Sequence, residues 1–177
     1  MDETADKLAG ILSVCDGHIG FSPEVDNLFK LDVAYKQACS AAKFGQLIGG
    51  GDKLYFYSEY YIYDMIDSYS ERFRIEDMFV QKLRLLENKD EGSFNNLNLL
   101  RSYLLPERNL SETARLLHMH RNSVIYRIGK ISDILGVDLD DPDVRLRLLI
   151  SFKVIEMING RKFPPLHDGK DAAEREK

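Results

Sequence analysis

Apolar residues recur at helical intervals on both sides of a short histidine-bracketed break, in the run NLSETARLLHMHRNSVIYRIGKI, residues 109–131. The first interval predicts a helix from about Leu110 to Leu117. Asn109 or Ser111 can cap it, and Glu112, three residues after Asn109, completes the spacing of a capping box. His118, Met119 and His120 form the predicted turn. A second helix follows from about Arg121 to Leu135, with Val124, Ile128 and Ile131 as its buried stripe. Ala114 is small enough for the second helix to cross closely. Its ten-residue separation from Val124 is the spacing that locks a helix-turn-helix pair.

The same reading extends to the rest of the chain. Met1–Cys15 predicts a helix through Leu8, Ile11, Leu12 and Val14. His18–Ser22 predicts a short strand turned at Ser22-Pro23. Phe29–Phe44 predicts a helix with Leu31, Tyr35, Ala38 and Ala42 down one face and Gly45 as its stop. The glycines at 49–51 predict a turn into a strand at Leu54–Tyr57. Ser58–Asn88 predicts helix, capped by Ser58 and either broken or kinked near Ser68-Tyr69-Ser70. Tyr61, Met65, Ile66 and Tyr69 form its first apolar face; Ile75, Phe79, Leu83 and Leu86 form its second. NKDEGS (88–93) reads as a linker. Phe94–Leu105 reads as a support helix with Leu97, Leu100 and Leu104 inward, ended by Pro106. Gly136 is the predicted C-cap of the second helix of the pair.

The last helix begins at Asp141-Pro142-Asp143, as cap, first helical residue and dipole partner, and runs to about Ile158. It has two apolar faces, one through Val144, Leu148, Phe152 and Ile155 and another through Leu146, Leu149, Ile150, Val154 and Met157. The second face calls for a partner. Arg161–Lys177, charged and with two prolines, reads as a disordered tail.

Charge changes the picture at one place. The chain of 177 residues holds 29 acids and a net charge of −5, yet Thr113–Ser132 contains no Asp or Glu. On the side of the second helix away from the stripe lie Arg121, Asn122, Ser123, Tyr126, Arg127 and Lys130, preceded by His120. Arg and Lys neutralise phosphates and release counterions. Arg and Asn can bond guanine and adenine edges in pairs, and the free N–H groups of a helix start suit a phosphate. These residues are the expected contacts to double-stranded DNA. The bland alternative is a helical hairpin with a solvated basic face.

Other candidate chemistry is thin. His118 and His120 have no cysteine or carboxylate close by, so no metal is expected; His120 is read as a helix cap or a phosphate contact. Asp138, Asp140, Asp141 and Asp143 lack the order and distal Glu of a calcium loop. The tyrosines at 55, 57, 60, 61, 63 and 69 have no interleaved cations from Leu54 to Glu71, which favours packing between domains over base stacking. Cys15 and Cys39 predict free buried thiols. No Ser/His/Asp, Cys/His or metal constellation points to an enzyme, and no cofactor is expected. The apolar runs are too short for a membrane span, and no signal peptide is visible, so a cytoplasmic protein is expected.

From Phe94 to Asn159 the residues resemble a known family. LLRSYL (99–104), NLSETARLL, HMHRNSVIYRIGKI and LGVDLDDPDVRLRLLI are similar to the C-terminal helix-turn-helix of PucR/CdaR-type bacterial transcriptional regulators. His120, Arg121, Asn122, Tyr126, Arg127 and Lys130 carry the likeness; Ser123 stands where Thr is usual, and Leu99 where the first helix usually has Thr. The order IGFS, then YKQACSAAKFG, then LYFY resembles more loosely the end of the GGDEF-like domain of CdaR-type regulators. Gly49-Gly50-Gly51-Asp52 is not followed by Glu-Phe and reads as a turn rather than a cyclase signature.

The resemblance implies a sequence-specific DNA-binding regulator and leaves room for a small-molecule effector of unidentified chemistry. The resulting expectation is a mainly α chain: a partial GGDEF-like α/β segment (1–57), a helical connector (58–90), a helix-turn-helix bundle (91–160) and a tail (161–177). Two strands and one long helix bury little alone. Either the chain is a fragment of a longer regulator or two copies complete each other, and a homodimer is expected. A helical signalling or protein-interaction fragment that has lost DNA binding is the competing reading.

Overall fold

The computed structural model describes residue 10 and residues 17–70, 80–87, 95–106 and 108–164. Apart from Gly10, the helix expected in Met1–Cys15 lies outside these residues, as do Ile75, Phe79, the 88–93 linker and the tail beyond Pro164. The fold is mainly α, as expected. The described residues divide into two compact units, the first drawn from 1–73 and 153–163 and the second from 74–152 and 164.

The first unit is a βαβ arrangement with a further helix. Strand β1 (Ile19–Phe21) pairs in parallel with β2 (Leu54–Phe56), in the register Gly20 to Tyr55. A 3-10 turn (Leu28–Lys30), capped by the Asn27 side chain, leads into helix α1 (Leu31–Ile48). Helix α2 (Tyr57–Ser70) follows β2 directly. Tyr57 is therefore the first helical residue rather than the end of the strand, and Ser58 lies inside the helix it was expected to cap.

Close packing governs this unit. A Cβ at Gly20 would run into the Ala38 carbonyl of α1, and one at Gly45 would run into the Tyr55 ring. Gly45 thus admits β2 against α1 instead of ending the helix, which continues to Ile48 before the turn through Gly50 and Gly51, both at positive φ. The core comprises Ala41, Phe44, Ile48, Tyr55, Tyr60 and Tyr63, with Tyr57 and Met157 packed at its margin. Tyr55 meets Tyr60 edge-on, with ring centroids 5.8 Å apart.

Two expected faces are corrected. On α1, Ala38 and Ala42 do lie against β1, but Leu31 and Tyr35 are exposed, because the two short strands cover only part of the helix. On α2, Tyr60 and Tyr63 are buried while Tyr61, Met65 and Tyr69 are exposed. The large rings fill the space beside α1, and their hydroxyls find partners there. Glu156, only 3% exposed, accepts from the Tyr63 hydroxyl at 2.5 Å, the Lys153 ammonium at 3.0 Å and the Phe163 N–H at 2.7 Å. Lys162 donates to the Tyr60 hydroxyl at 3.4 Å. Tyr55, Tyr60 and Tyr63 of the tyrosine cluster belong to this unit's core, and Lys162 and Phe163, expected to be loose, are held by these bonds and by the Lys162 N–H to the Ile48 carbonyl. Cys39 is free but exposed, not buried.

The second unit contains α3 (Val80–Glu87), α4 (Asn96–Leu104), α5 (Leu110–Leu116), α6 (Arg121–Leu135) and the beginning of α7 (Pro142–Asn159). Helix α6 packs against α3, α4 and α5. Leu83, Leu86, Leu97, Leu99, Leu100, Leu104, Val124, Ile128, Ile131, Leu135, Leu148 and Phe152 are buried. On α7, Leu146 is exposed, whereas Val154, on the same expected face, is fully buried.

Candidate nucleic-acid interface

Local capping fixes the two-helix element. The Asn109 side chain accepts from the Ser111 and Glu112 N–H groups, both at 3.1 Å, so Asn109 rather than Ser111 is the cap of α5. The reciprocal half of the expected capping box is replaced. The Glu112 carboxylate is drawn to the Arg115 guanidinium, and the Asn109 N–H donates to the Pro106 carbonyl at 3.0 Å. Thr113, fully buried, donates its hydroxyl to the Asn109 carbonyl at 2.8 Å and to the Ser102 carbonyl of α4 at 3.2 Å.

The turn is a Schellman closure. His118 takes φ +50°, and the Met119 N–H reaches back to the Ala114 carbonyl at 2.8 Å. That left-handed residue is more often Gly, though His tolerates the region better than branched residues do. Two residues on, His120 is extended and caps α6, its Nδ1 accepting from the Asn122 N–H at 3.3 Å. This is the capping role expected for His120. Ala114 is buried at the crossing with α6, and Val124, Ile128 and Ile131 face inward as expected.

The far end of α6 is equally defined. Gly136 is left-handed, with φ 59° and ψ 46°, and the Ser132 carbonyl accepts from the Val137 N–H at 3.2 Å. Lys82 of α3 donates its ammonium to the Leu135 carbonyl at 3.0 Å. A cation there meets the negative end of the helix dipole. Helix α7 starts as expected, with the Asp141 carboxylate accepting from the Asp143 N–H at 2.8 Å. Asp140 is bound to Arg108, and among the described residues no acidic or histidine cluster could hold a metal ion.

The expected contact residues lie together on α6 and its cap. His120, Arg121, Asn122, Ser123, Tyr126 and Lys130 are exposed, and Arg127 is half-buried at the flank. The Lys130 ammonium lies 5.5 Å from the centre of the Tyr126 ring, within cation–π range. Arg115 is engaged by Glu112 on the preceding helix. The sequence reading missed two neighbours on the exposed side: Ile125, 43% exposed, and Gly129, whose absent Cβ would meet nothing among the described residues. Their signal was available, as an aliphatic outside the buried stripe and a glycine in a helix interior.

A short capped helix, a Schellman turn and a longer helix with a buried aliphatic stripe and an exposed basic and amide side define a helix-turn-helix module. Comparison with known proteins agrees. The family profile described as the PucR C-terminal helix-turn-helix domain matches residues 97–154. The chain is 28% identical over 141 residues to the "Proline-responsive transcriptional activator PutR" of Bacillus subtilis (strain 168), covering 78% of this chain and 34% of that protein. It is 34% identical over 88 residues to the "Purine catabolism regulatory protein" of the same organism, covering 48% of this chain and 17% of that protein. A third similar protein there, the "DNA-binding transcriptional activator AdeR", is 24% identical over 144 residues, 80% of this chain and 34% of its own length. The chain thus spans about a third or less of these relatives' lengths. No solved structure matches at a significant level. No described helix is long and apolar enough to cross a membrane.

Proposed function

We propose that this chain carries the DNA-binding part of a sequence-specific transcriptional regulator, with α6 in the major groove of double-stranded DNA. His120, Arg121, Asn122, Ser123, Tyr126, Arg127 and Lys130 are the contacts. The observation that carries this reading is the exposed, acid-free first three turns of α6, on a helix locked from behind by Val124, Ile128 and Ile131. The printed names of the relatives support the regulator reading. The test is selection of bound sequences from a random duplex pool, followed by affinity against salt for the selected site. Arg121→Ala and Arg127→Ala each abolish specific binding without unfolding the domain. Where the arginine removed had neutralised a phosphate, the salt slope of the residual, nonspecific binding falls by about one. Unchanged operator affinity at fixed salt in both variants rejects the assignment.

The regulator acts as a homodimer, with two recognition helices about 34 Å apart reading a palindromic site. Support comes from the first unit, read as the end of a GGDEF-like domain. Pleating turns Gly20 and Tyr55 toward α1, leaving Ile19, Phe21, Leu54 and Phe56 on the other side of the sheet. Phe56 is 40% exposed, and Phe21 and Phe56 stack on each other at 4.8 Å. Parallel strands are ordinarily covered on both faces, so this face suits a partner. Light scattering at micromolar concentration is expected to give twice the chain mass, and a monomer counts against the dimer.

A further inference from the structure

Two features of α6 are unexplained by the fold. Val124, Ile128 and Ile131 are buried and Ile134 is half-buried, but Ile125 is 43% exposed. Gly129 sits in the helix interior, with no positive φ and, among the described residues, nothing within 4 Å of the position its Cβ would take. Glycine is the poorest helix former after proline. Neither a turn nor a close approach within the fold requires it here.

The two positions belong together. Residues four apart on a helix lie one above the other, and a helical side chain leans toward the N-terminus. A side chain longer than alanine at 129 would therefore lean toward residue 125, although a Cβ alone would touch no atom of it. Glycine leaves the flank of Ile125 bare. Asn122 is three residues before Ile125, and Tyr126 three before Gly129, so the bare aliphatic is bordered by an exposed amide and an exposed phenol.

We propose that Ile125 and Gly129 form an apolar notch on the recognition helix that receives the 5-methyl group of a thymine. This inference rests on the DNA-binding reading above and adds a base preference to it. In the major groove an aliphatic side chain distinguishes thymine by its methyl group, and asparagine can bond adenine through N6 and N7. Asn122 beside Ile125 suits a step containing A·T pairs. A protein surface docking on the same notch is the competing occupant. Arg121 and Lys130, exposed on the same helix, favour the polyanion, and the one acid bordering the notch is Asp133, a turn beyond Gly129.

The experiment uses the full chain and the duplex it selects from a random pool. Each thymine of the selected site is replaced in turn by deoxyuridine, which lacks only the methyl. One position per half-site is expected to weaken wild-type binding about fourfold, the worth of one buried methyl group. In Ile125→Ala the same replacement has no effect, because the shorter side chain no longer reaches the methyl. Gly129→Ala raises the melting temperature, since alanine is the better helix former and meets no neighbour, yet weakens the selected site. If the wild type selects a site but no deoxyuridine replacement weakens it, the notch does not read thymine. The inference also falls if Ile125→Ala keeps the wild-type replacement pattern, or if both variants bind the site normally but lose self-association. A wild type that selects no sequence overturns the DNA-binding reading itself.

Discussion

Gly45 and Gly129 are both glycines inside helices, and they are there for opposite reasons. At Gly129 the space is open; at Gly45 it is filled by the Tyr55 ring. Alanine at 45 gains up to about 1 kcal/mol of helix propensity but overpacks the α1–β2 contact, which costs about 1–3 kcal/mol. Overpacking wins, because Tyr55 is held by Tyr60 edge-on and by its own hydroxyl, which donates to the Asp52 carbonyl. Gly45→Ala is therefore expected to lower the melting temperature, as measured by circular dichroism, whereas Gly129→Ala raises it. Sequence alone makes no such distinction between these glycines: a glycine after an apolar helical run reads as a stop until the ring that crosses it is known.

Recognition helix α6 is held at both ends by different kinds of contact. The N-terminal cap, His120, is two residues from the N–H it receives, and the Gly136 turn is equally local. Their positions were readable because capping links residues adjacent in the chain. Lys82, which binds the Leu135 carbonyl, is 53 residues away, and nothing in its own surroundings marks it. Lys82→Met is expected to destabilise the last turn of α6 by about 0.3–1 kcal/mol, the usual worth of a cation at a helix C-terminus. Hydrogen exchange of the amides around Ile134 and Leu135 should accelerate in that variant, with Lys82→Arg restoring protection. Equal exchange in Lys82→Met and the wild type would show that packing alone holds this end.

At the scale of the whole molecule, hydrogen-bonded hydroxyls join the apolar groups in closing the first unit's core. Burial, with help from Glu59 and Asp52, pushes the Tyr60 hydroxyl from the ordinary 10.0 up to about 12. Tyr55 is raised for the same first reason. Below about pH 10 the phenols are neutral in both folded and unfolded chains, and their contribution is intact. Between pH 10 and about 12 the unfolded chain loses Tyr60's proton while the folded one keeps it, so stability falls as pH rises. A melting temperature that declines over this window, in step with a late phenolate absorbance, is expected. Tyr60→Phe should remove part of the decline; a melting temperature flat from pH 10 to 12 contradicts this account.

Local order along the chain determined the extent of α5, α6 and α7 and the division of α6 into an inward stripe and an outward basic side. Caps at Asn109, His120, Gly136 and Asp141 act within a few residues, and the stripe needs only helical periodicity. Which side of α1 and α2 turns inward was decided by elements arriving from far away. The Tyr63–Glu156 bond joins residues 93 apart, and Gly45 receives a ring from the next strand. On an α2 rich in tyrosines on both sides, periodicity offers two faces of similar apolar content. Only the partners for their hydroxyls separate them, and those partners exist once the chain has folded.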